Sequence, residues 1–371
     1  MALALTALDL IITGDVVLEN SSEKAINELF EQLKKPLSSQ GKLALSLEGL
    51  FLCPKFQKKS IRKDGPHLRS DMKYLNLLKK GSVVLLANNH ILDYGQNNLL
   101  ENLENFNRLG IIFAGVTGMN LDLTTVRLDN GISLINMSEQ EFNVGTVVGA
   151  SIINYRKIQK EITSEKAVGN KVVLVLHGGV EYCKILPPSL KDVCEFGIEC
   201  GADLVVCSHP HVVGSFYKYK SKIIITSLGD TFFIKKLGAT PNLSLSLGLI
   251  NQKSSLKLFI VSAKVNFYEY KVDDIKEIDQ NHHLIDKSNV YGDENIYQRQ
   301  WESEAHKFGI KIANRLVWPF KRGLGGLSRF GLLNHKMLFR SHAACSRFTN
   351  SASDSKRDLL LEVLKVDDLQ K

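Results

Sequence analysis

Short apolar runs alternate along this chain with longer stretches of helical spacing. Leu8–Thr13, Lys42–Leu47, Ser82–Ala87, Lys171–Leu176, Asp203–Cys207 and Lys222–Thr226 each read as a buried strand. Ser22–Lys35 sets Ala25, Ile26, Leu29, Phe30 and Leu33 on one helical face and stops at Pro36. Asn97–Leu109 does the same with Leu99, Leu100, Leu103, Phe106 and Leu109, and Gly110 is placed to cap its end. Asp71–Lys80 and Pro188–Glu199 read as further helices. Residues 121–136 read as a hairpin turning at Asp129-Asn130-Gly131. Ile111–Phe113, Leu256–Asn266 and Glu269–Val272 read as further strands, and the polar, basic stretch from Cys53 to Ser70 as a surface loop. Strands separated by helices predict an α/β fold, a parallel or mixed sheet layered with helices.

Composition narrows the class. The chain has 371 residues, 44 % hydrophobic and 23 % charged, which is enough to bury a sizeable core and excludes wholesale disorder. No apolar run reaches the roughly 18–20 residues a membrane-spanning helix needs. Met1–Thr13 is interrupted by Asp9 and lacks a basic leader, so it reads as a first strand and not as a secretory signal. The cysteines are Cys53, Cys183, Cys194, Cys200, Cys207 and Cys345, with no CxxC pair. Free thiols and a cytoplasmic location are the expectation.

Charge is unevenly placed. From His306 to Asn350 there are nine Lys or Arg and no Asp or Glu. That stretch carries +9 against +8 for the whole chain, so the remainder stands at −1. A near-neutral body is followed by a basic segment.

The chemistry gathers at strand ends, where ligands of open α/β sheets bind. Asp15, Glu48, Asn89 with His90, His177, and His209 with His211 each follow an apolar strand closely. One polar residue after a strand is ordinarily a turn former. Five strand ends offering carboxylate, amide or imidazole point to first-row transition metals. The donor count predicts two ions sharing a carboxylate, with water completing their shells. His90 adjoins Asn89, so both cannot face one metal. It is better placed as a general acid, with Asp93 three residues on to hold its other ring nitrogen.

These segments resemble the capsule-synthesis CapA proteins, also called poly-γ-glutamate capsule biosynthesis proteins, of the calcineurin-like metallophosphatase superfamily. The resemblance is carried by Gly14-Asp15-Val16-Val17-Leu18, Leu47-Glu48, Asn89-His90-Ile91-Leu92-Asp93-Tyr94-Gly95 and His177-Gly178-Gly179-Val180-Glu181-Tyr182. It continues through Gly201-Ala202-Asp203-Leu204-Val205, His209-Pro210-His211 and Ser227-Leu228-Gly229. It implies a four-layer α/β/β/α metallophosphatase sandwich with two divalent transition-metal ions, Mn, Fe or Zn. Asp15 and His211 would bind the first ion, Glu48 would bridge, and Asn89, His177 and His209 would bind the second. His90, supported by Asp93, would be the catalytic proton donor to a leaving group displaced by metal-activated hydroxide. Glu181, Tyr182, Asn88 and Ser46 would lie on the substrate side or support the site.

Four positions depart from the family pattern. Ser46 stands where Asn is usual, Gly178 where Trp is usual, and Asp230 where the late Asn is usual. Val17 stands where the wider superfamily has a His ligand. Loss of the Trp is expected to open the pocket wall, and loss of the His to weaken the first metal.

The expected organisation is a metallophosphatase domain over 8–272, a linker over 273–295, and a basic, mostly helical extension over 296–371. The extension reads as a helical appendage with a solvated basic face. The sharper alternative is contact with an anionic membrane surface through 306–347, which would place the protein peripherally at the inner membrane face. No nucleic-acid fold accompanies the charge, so nucleic acid is not the expected partner. The expected function is hydrolysis of a phosphorylated or polymeric, capsule-related substrate. The alternative is a non-hydrolytic capsule-assembly or polymer-binding component that keeps the fold.

Overall fold

The computed structural model describes residues 7–316 apart from short internal stretches, together with Asp354, Ser355 and Asp358; of 306–316 it describes the helical backbone alone. In chain order the first half forms β1 (Leu8–Val17), α1 (Glu23–Lys34), β2 (Leu37–Leu47), β3 (Ser82–Leu85), α2 (Gln96–Leu109), β4 (Ile112–Ala114), β5 (Thr125–Arg127) and β6 (Ile132–Ser138). The middle forms α3 (Tyr155–Ala167), β7 (Lys171–His177), α4 (Pro188–Glu199), β8 (Leu204–Ser208), β9 (Phe216–Tyr219) and β10 (Lys222–Ile225). Then come β11 (Asp230–Phe233), β12 (Asn242–Asn251), β13 (Leu256–Val265), β14 (Tyr270–Glu277) and α5 (Glu294–Leu316).

Two mixed sheets dominate. The first has the order β14-β13-β12-β1-β2-β3-β4, with β11 also pairing β1; the second has the order β9-β10-β8-β7-β6-β5. β1 to β4 run parallel, as do β6, β7, β8 and β10, so their carboxyl ends share a side.

Alternation along the strands explains the layering. Ile11 packs with α1 and α2, while Leu10 and Ile12 face the other sheet. On β7, Val172, Leu174 and Leu176 pack against α3 and α4, while Val173 and Val175 meet the first sheet. Both sheets thus bury both faces, the pattern of a four-layer α/β/β/α sandwich.

Several elements differ from the sequence reading. β2 begins at Leu37, five residues early, and β12 was not read at all, because its Ser and Leu alternation is weak beside the purely apolar runs. In the 121–136 region, Thr125–Arg127 and Ile132–Ser138 pair antiparallel, but Leu121–Leu123 joins a separate three-stranded sheet. The 71–80 helix is a 3-10 helix over Met72–Leu78.

The C-terminal boundary differs most. β14 runs to Glu277, past residue 272. The stretch read as a linker sends Ile278, Ile285, Val290 and Tyr291 into the core, and Tyr291 stacks on Tyr217 with ring centroids 4.1 Å apart. Tyr297 and Trp301 on α5 are fully buried against α4 and the second sheet. The helical appendage is therefore seated from its first turns. Most of the basic 306–347 stretch lies outside the described residues. Among the described residues no helix is long and apolar enough to cross a membrane, and Cys53, Cys183, Cys194, Cys200 and Cys207 are free thiols.

Candidate metal centre

The carboxyl ends of β1, β2, β3, β7 and β8 converge between the sheets. Asp15, Ser46, Glu48, Asn88, Asn136, His177 and Ser208 line one small cavity there. Close approach is built into the backbone. A Cβ on Gly14 would lie 2.0 Å from the carbonyl oxygen of Gly229, so only glycine lets β1 meet the turn that carries Asp230. Asp15 and Asp230 are then direct neighbours in the β1–β11 register. His209 (φ 101°) and His211 (φ 59°) hold left-handed backbone, a strained geometry that turns both rings toward the site.

Two groups of donor atoms result. Glu48, His177 and His209 form one, and Asp15, His211 and Asp230 form the other; within each, the donors lie within 4.8 Å of one another. Glu48 stands between them. Its Oε1 is 3.8 Å from His177 Nε2, and its Oε2 is 3.7 Å from His211 Nδ1. His211 Nδ1 is 3.7 Å from Asp15 Oδ2 and 2.6 Å from Asp230 Oδ1. Asn89 places Oδ1 3.1 Å from His177 Nε2. Backbone support is direct: the His209 N–H donates to Asp15 Oδ2 at 2.9 Å.

This donor chemistry fits one divalent cation per group. Asp15 and Glu48 are fully buried and Asp230 is half-buried beside them, an arrangement that strongly favours positive charge. Burial, then His209 and His211, push His177 well below the ordinary imidazole range, leaving it neutral as a metal ligand must be. Burial opposes protonation of His211, but Glu48, Asp230 and Asp15 override it and raise its pKa to about 9.

His90 sits beside these groups. Its Nε2 is 3.7 Å from Glu48 Oε1, and its Nδ1 is 2.8 Å from Asp93 Oδ2. Asp93 is held in turn by the Leu68 N–H at 2.7 Å and by a buried ion pair with Lys63. Lys63 Nζ also lies 2.9 Å from His90 Nδ1. Burial lowers the His90 pKa, with the Asp93 hydrogen bond acting in the opposite sense.

All six residues expected to ligate metal lie in or against the two groups. The Tyr182 ring lies 6.3 Å from that of His211, and Glu181 is close enough to act electrostatically on Lys63. Asn88 and Ser46 are spent on backbone. Asn88 Nδ2 donates to the Leu47 carbonyl at 2.8 Å, and Ser46 Oγ donates to the Thr13 carbonyl at 3.2 Å. Val17 packs with Leu68 and Phe233 as an apolar wall where the superfamily has its His.

The wall beside Gly178 is not open. A Cβ there would meet Glu139 Oε2 at 2.7 Å, and Glu139 fills the space. Its carboxylate accepts from the Gly179 N–H at 2.9 Å and from Ser355 Oγ at 2.7 Å. Ser355 comes from the far C-terminal segment, a contact that local sequence cannot reveal. The sequence reading also missed Asp230 as a donor, Ser208, Glu141 and Lys63. Asp230 follows the strand at 222–226, so the strand-end rule could have reached it. Lys63 was hidden in a stretch that reads as solvated loop.

Comparison with known proteins agrees with this architecture. The chain is 26 % identical over 182 residues to the capsule biosynthesis protein CapA of Bacillus anthracis, covering 45 % of this chain and 44 % of that one. It is 22 % identical over 235 residues to the PGA biosynthesis protein CapA of Bacillus subtilis strain 168, covering 60 % of this chain and 61 % of that one. The match thus spans about half to three-fifths of each relative's length. Residues 9–235 match the family described as bacterial capsule synthesis protein PGA_cap, and the chain belongs to that family.

Proposed function

We propose that this chain is a metal-dependent hydrolase of phosphoester type acting in capsule or surface-polymer synthesis. The observation that carries the reading is Glu48, whose two oxygens face two different groups of metal-type donors. The capsule and PGA biosynthesis named for the relatives supply the process. Asp15, His211 and Asp230 would hold one divalent cation; His177, His209 and Asn89 would hold another, with Glu48 shared. Bound there, such cations neutralise charge on an ester's oxygens and make water nucleophilic at neutral pH.

The chain's own residues do the rest. His90 presents Nε2 toward Glu48 while Nδ1 is tied to Asp93, the posture of a proton donor to a leaving oxygen. Lys63 and the Leu68 N–H fix the Asp93 carboxylate and so the imidazole plane. Tyr182, 45 % exposed beside His211, and Glu181 would contact a phosphorylated or polymeric substrate. The proposed place of action is the cytoplasmic face of the inner membrane, a reading supported by the nine basic residues between 306 and 350.

The test begins with the full chain stripped of metal, reloaded with Mn²⁺ or Zn²⁺, and measured by elemental analysis and on generic phosphomono- and diesters. Two ions per chain and turnover are expected. His177→Ala and His209→Ala should lose an ion and all turnover, and full metal content in both would sink the assignment. His90→Ala should keep its metal and lose rate, most with poor leaving groups. A chain that takes no metal and turns over nothing is instead a non-hydrolytic assembly component.

A further inference from the structure

The loop after β6 reaches across from the second sheet to the turn that carries Asn89. Glu141 Oε2 accepts from Asn89 Nδ2 at 2.9 Å. The other end of the same amide, Oδ1, lies 3.1 Å from His177 Nε2. An Asn side chain has two ends of nearly equal shape and opposite hydrogen-bonding sense. Its oxygen can ligate a cation; its NH₂ cannot.

Nothing in the Asn89–His177 contact alone decides which end faces the metal centre. With the imidazole neutral, Nε2–H can donate to Oδ1, or Nε2 can accept from Nδ2. Ser208 Oγ lies 3.0 Å from His177 Nδ1 and can serve either tautomer, since a hydroxyl both donates and accepts. Glu141 breaks the degeneracy. In the observed orientation it accepts a charge-assisted hydrogen bond; a flipped amide would set Oδ1 against its carboxylate.

Glu141 is itself held in place. Its backbone N–H donates to Asn143 Oδ1 at 2.9 Å. The fully buried Asn143 spends its Nδ2 on the Asn88 carbonyl at 3.1 Å and the Glu139 carbonyl at 2.9 Å. One buried amide therefore fixes the carboxylate-bearing loop and the Asn89 turn relative to each other.

We infer that Glu141 is a positioning residue that holds the Asn89 carbonyl oxygen toward the second donor group and thereby sets that group's affinity for a divalent cation. The inference rests on the proposed metal binding. Partners behind a ligand typically govern about 10- to 100-fold in metal affinity.

The test is calorimetric titration of the metal-stripped full chain with Mn²⁺ alone, which needs no substrate. Wild type should bind two ions. Glu141→Ala should weaken one of them about 10- to 100-fold and leave the other unchanged. Glu141→Gln keeps an acceptor for Nδ2 and should restore most of the loss. In an Asn89→Asp background either side-chain oxygen can ligate, so Glu141→Ala should cost nothing there and should relieve a carboxylate pair.

Equal two-site binding by wild type and Glu141→Ala overturns this inference and leaves the proposed function standing. A wild-type chain that binds neither Mn²⁺ nor, titrated in the same way, Zn²⁺ overturns the proposed function, and this inference with it. The same loss in the Asn89 and Asn89→Asp backgrounds shows that Glu141 acts through the fold instead of the amide, and overturns the inference as well.

Discussion

The two donor groups are built in different ways. The first, Asp15, His211 and Asp230, takes its carboxylates from adjacent strands in register, so the sheet itself sets their spacing. The second takes His177 from the last residue of β7 and Glu48, His209 and Asn89 from loops beyond the strand ends. Those loops are held by side chains of Glu139, Glu141, Asn143 and Ser208. The first is rich in charge and framed by backbone; the second is rich in neutral donors and framed by a polar network. The lesson is that the first should respond to changes in charge and pH, and the second to changes in its supports.

The largest expected effect comes from the residue the two groups share. Glu48→Gln should weaken both ions by about 100-fold or more, beyond the range for residues that only support a ligand. Loss of one ion alone would show that Glu48 belongs to one group. Asp230→Asn keeps a donor oxygen and removes a charge. It should weaken one ion by about 10-fold or more and spare the other, as read by Mn²⁺ titration.

Proton competition separates the groups further. In the metal-free chain His211 has its pKa raised to about 9, so the folded state holds a proton that the unfolded state releases near its ordinary 6.5. The stability this contributes is fully present below about 6.5 and is lost as pH rises through about 9. The gap in melting temperature between metal-free wild type and His211→Gln should therefore narrow by a few degrees from pH 6.5 to 9.5. A constant gap would break the charge-based account of the first group.

Much of this was legible in the sequence, for reasons that differ by residue. Asp15, Glu48, His177 and His209 end apolar strands, and a strand end is a local signal. The four layers follow from alternation that can be read along β1 and β7. Asp230 was harder because, although it follows the strand at 222–226, it opens β11 after a glycine turn, and its pairing with β1 is long-range. Lys63 sits in a polar stretch whose local pattern predicts exposure, yet Asp93 draws its ammonium into the interior. Ser355 meets Glu139 across 216 positions, a contact that no periodicity encodes.

That last contact carries the smallest prediction. Glu139 is buried, and burial raises its pKa while Gly179 and Ser355 hydrogen bonds favour the charged form. Ser355→Ala removes the 2.7 Å hydroxyl donor and keeps the backbone N–H at 3.0 Å. Losing one hydrogen bond to a buried carboxylate should destabilise the chain by about 1–3 kcal/mol at neutral pH. The sign of the pH dependence follows from the raised pKa. Below the ordinary value of 4.5 Glu139 is protonated whether folded or unfolded, so a donor to its charged form is worth least there. The deficit of Ser355→Ala should then grow as pH rises from about 4.5, and the growth should vanish in a Glu139→Gln background. Because Glu139 bonds the loop just past His177, any loss of Mn²⁺ affinity should fall on the second ion. An equal loss on both ions would mean that the two groups share their supports, and would erase the distinction between a backbone-framed and a side-chain-framed site.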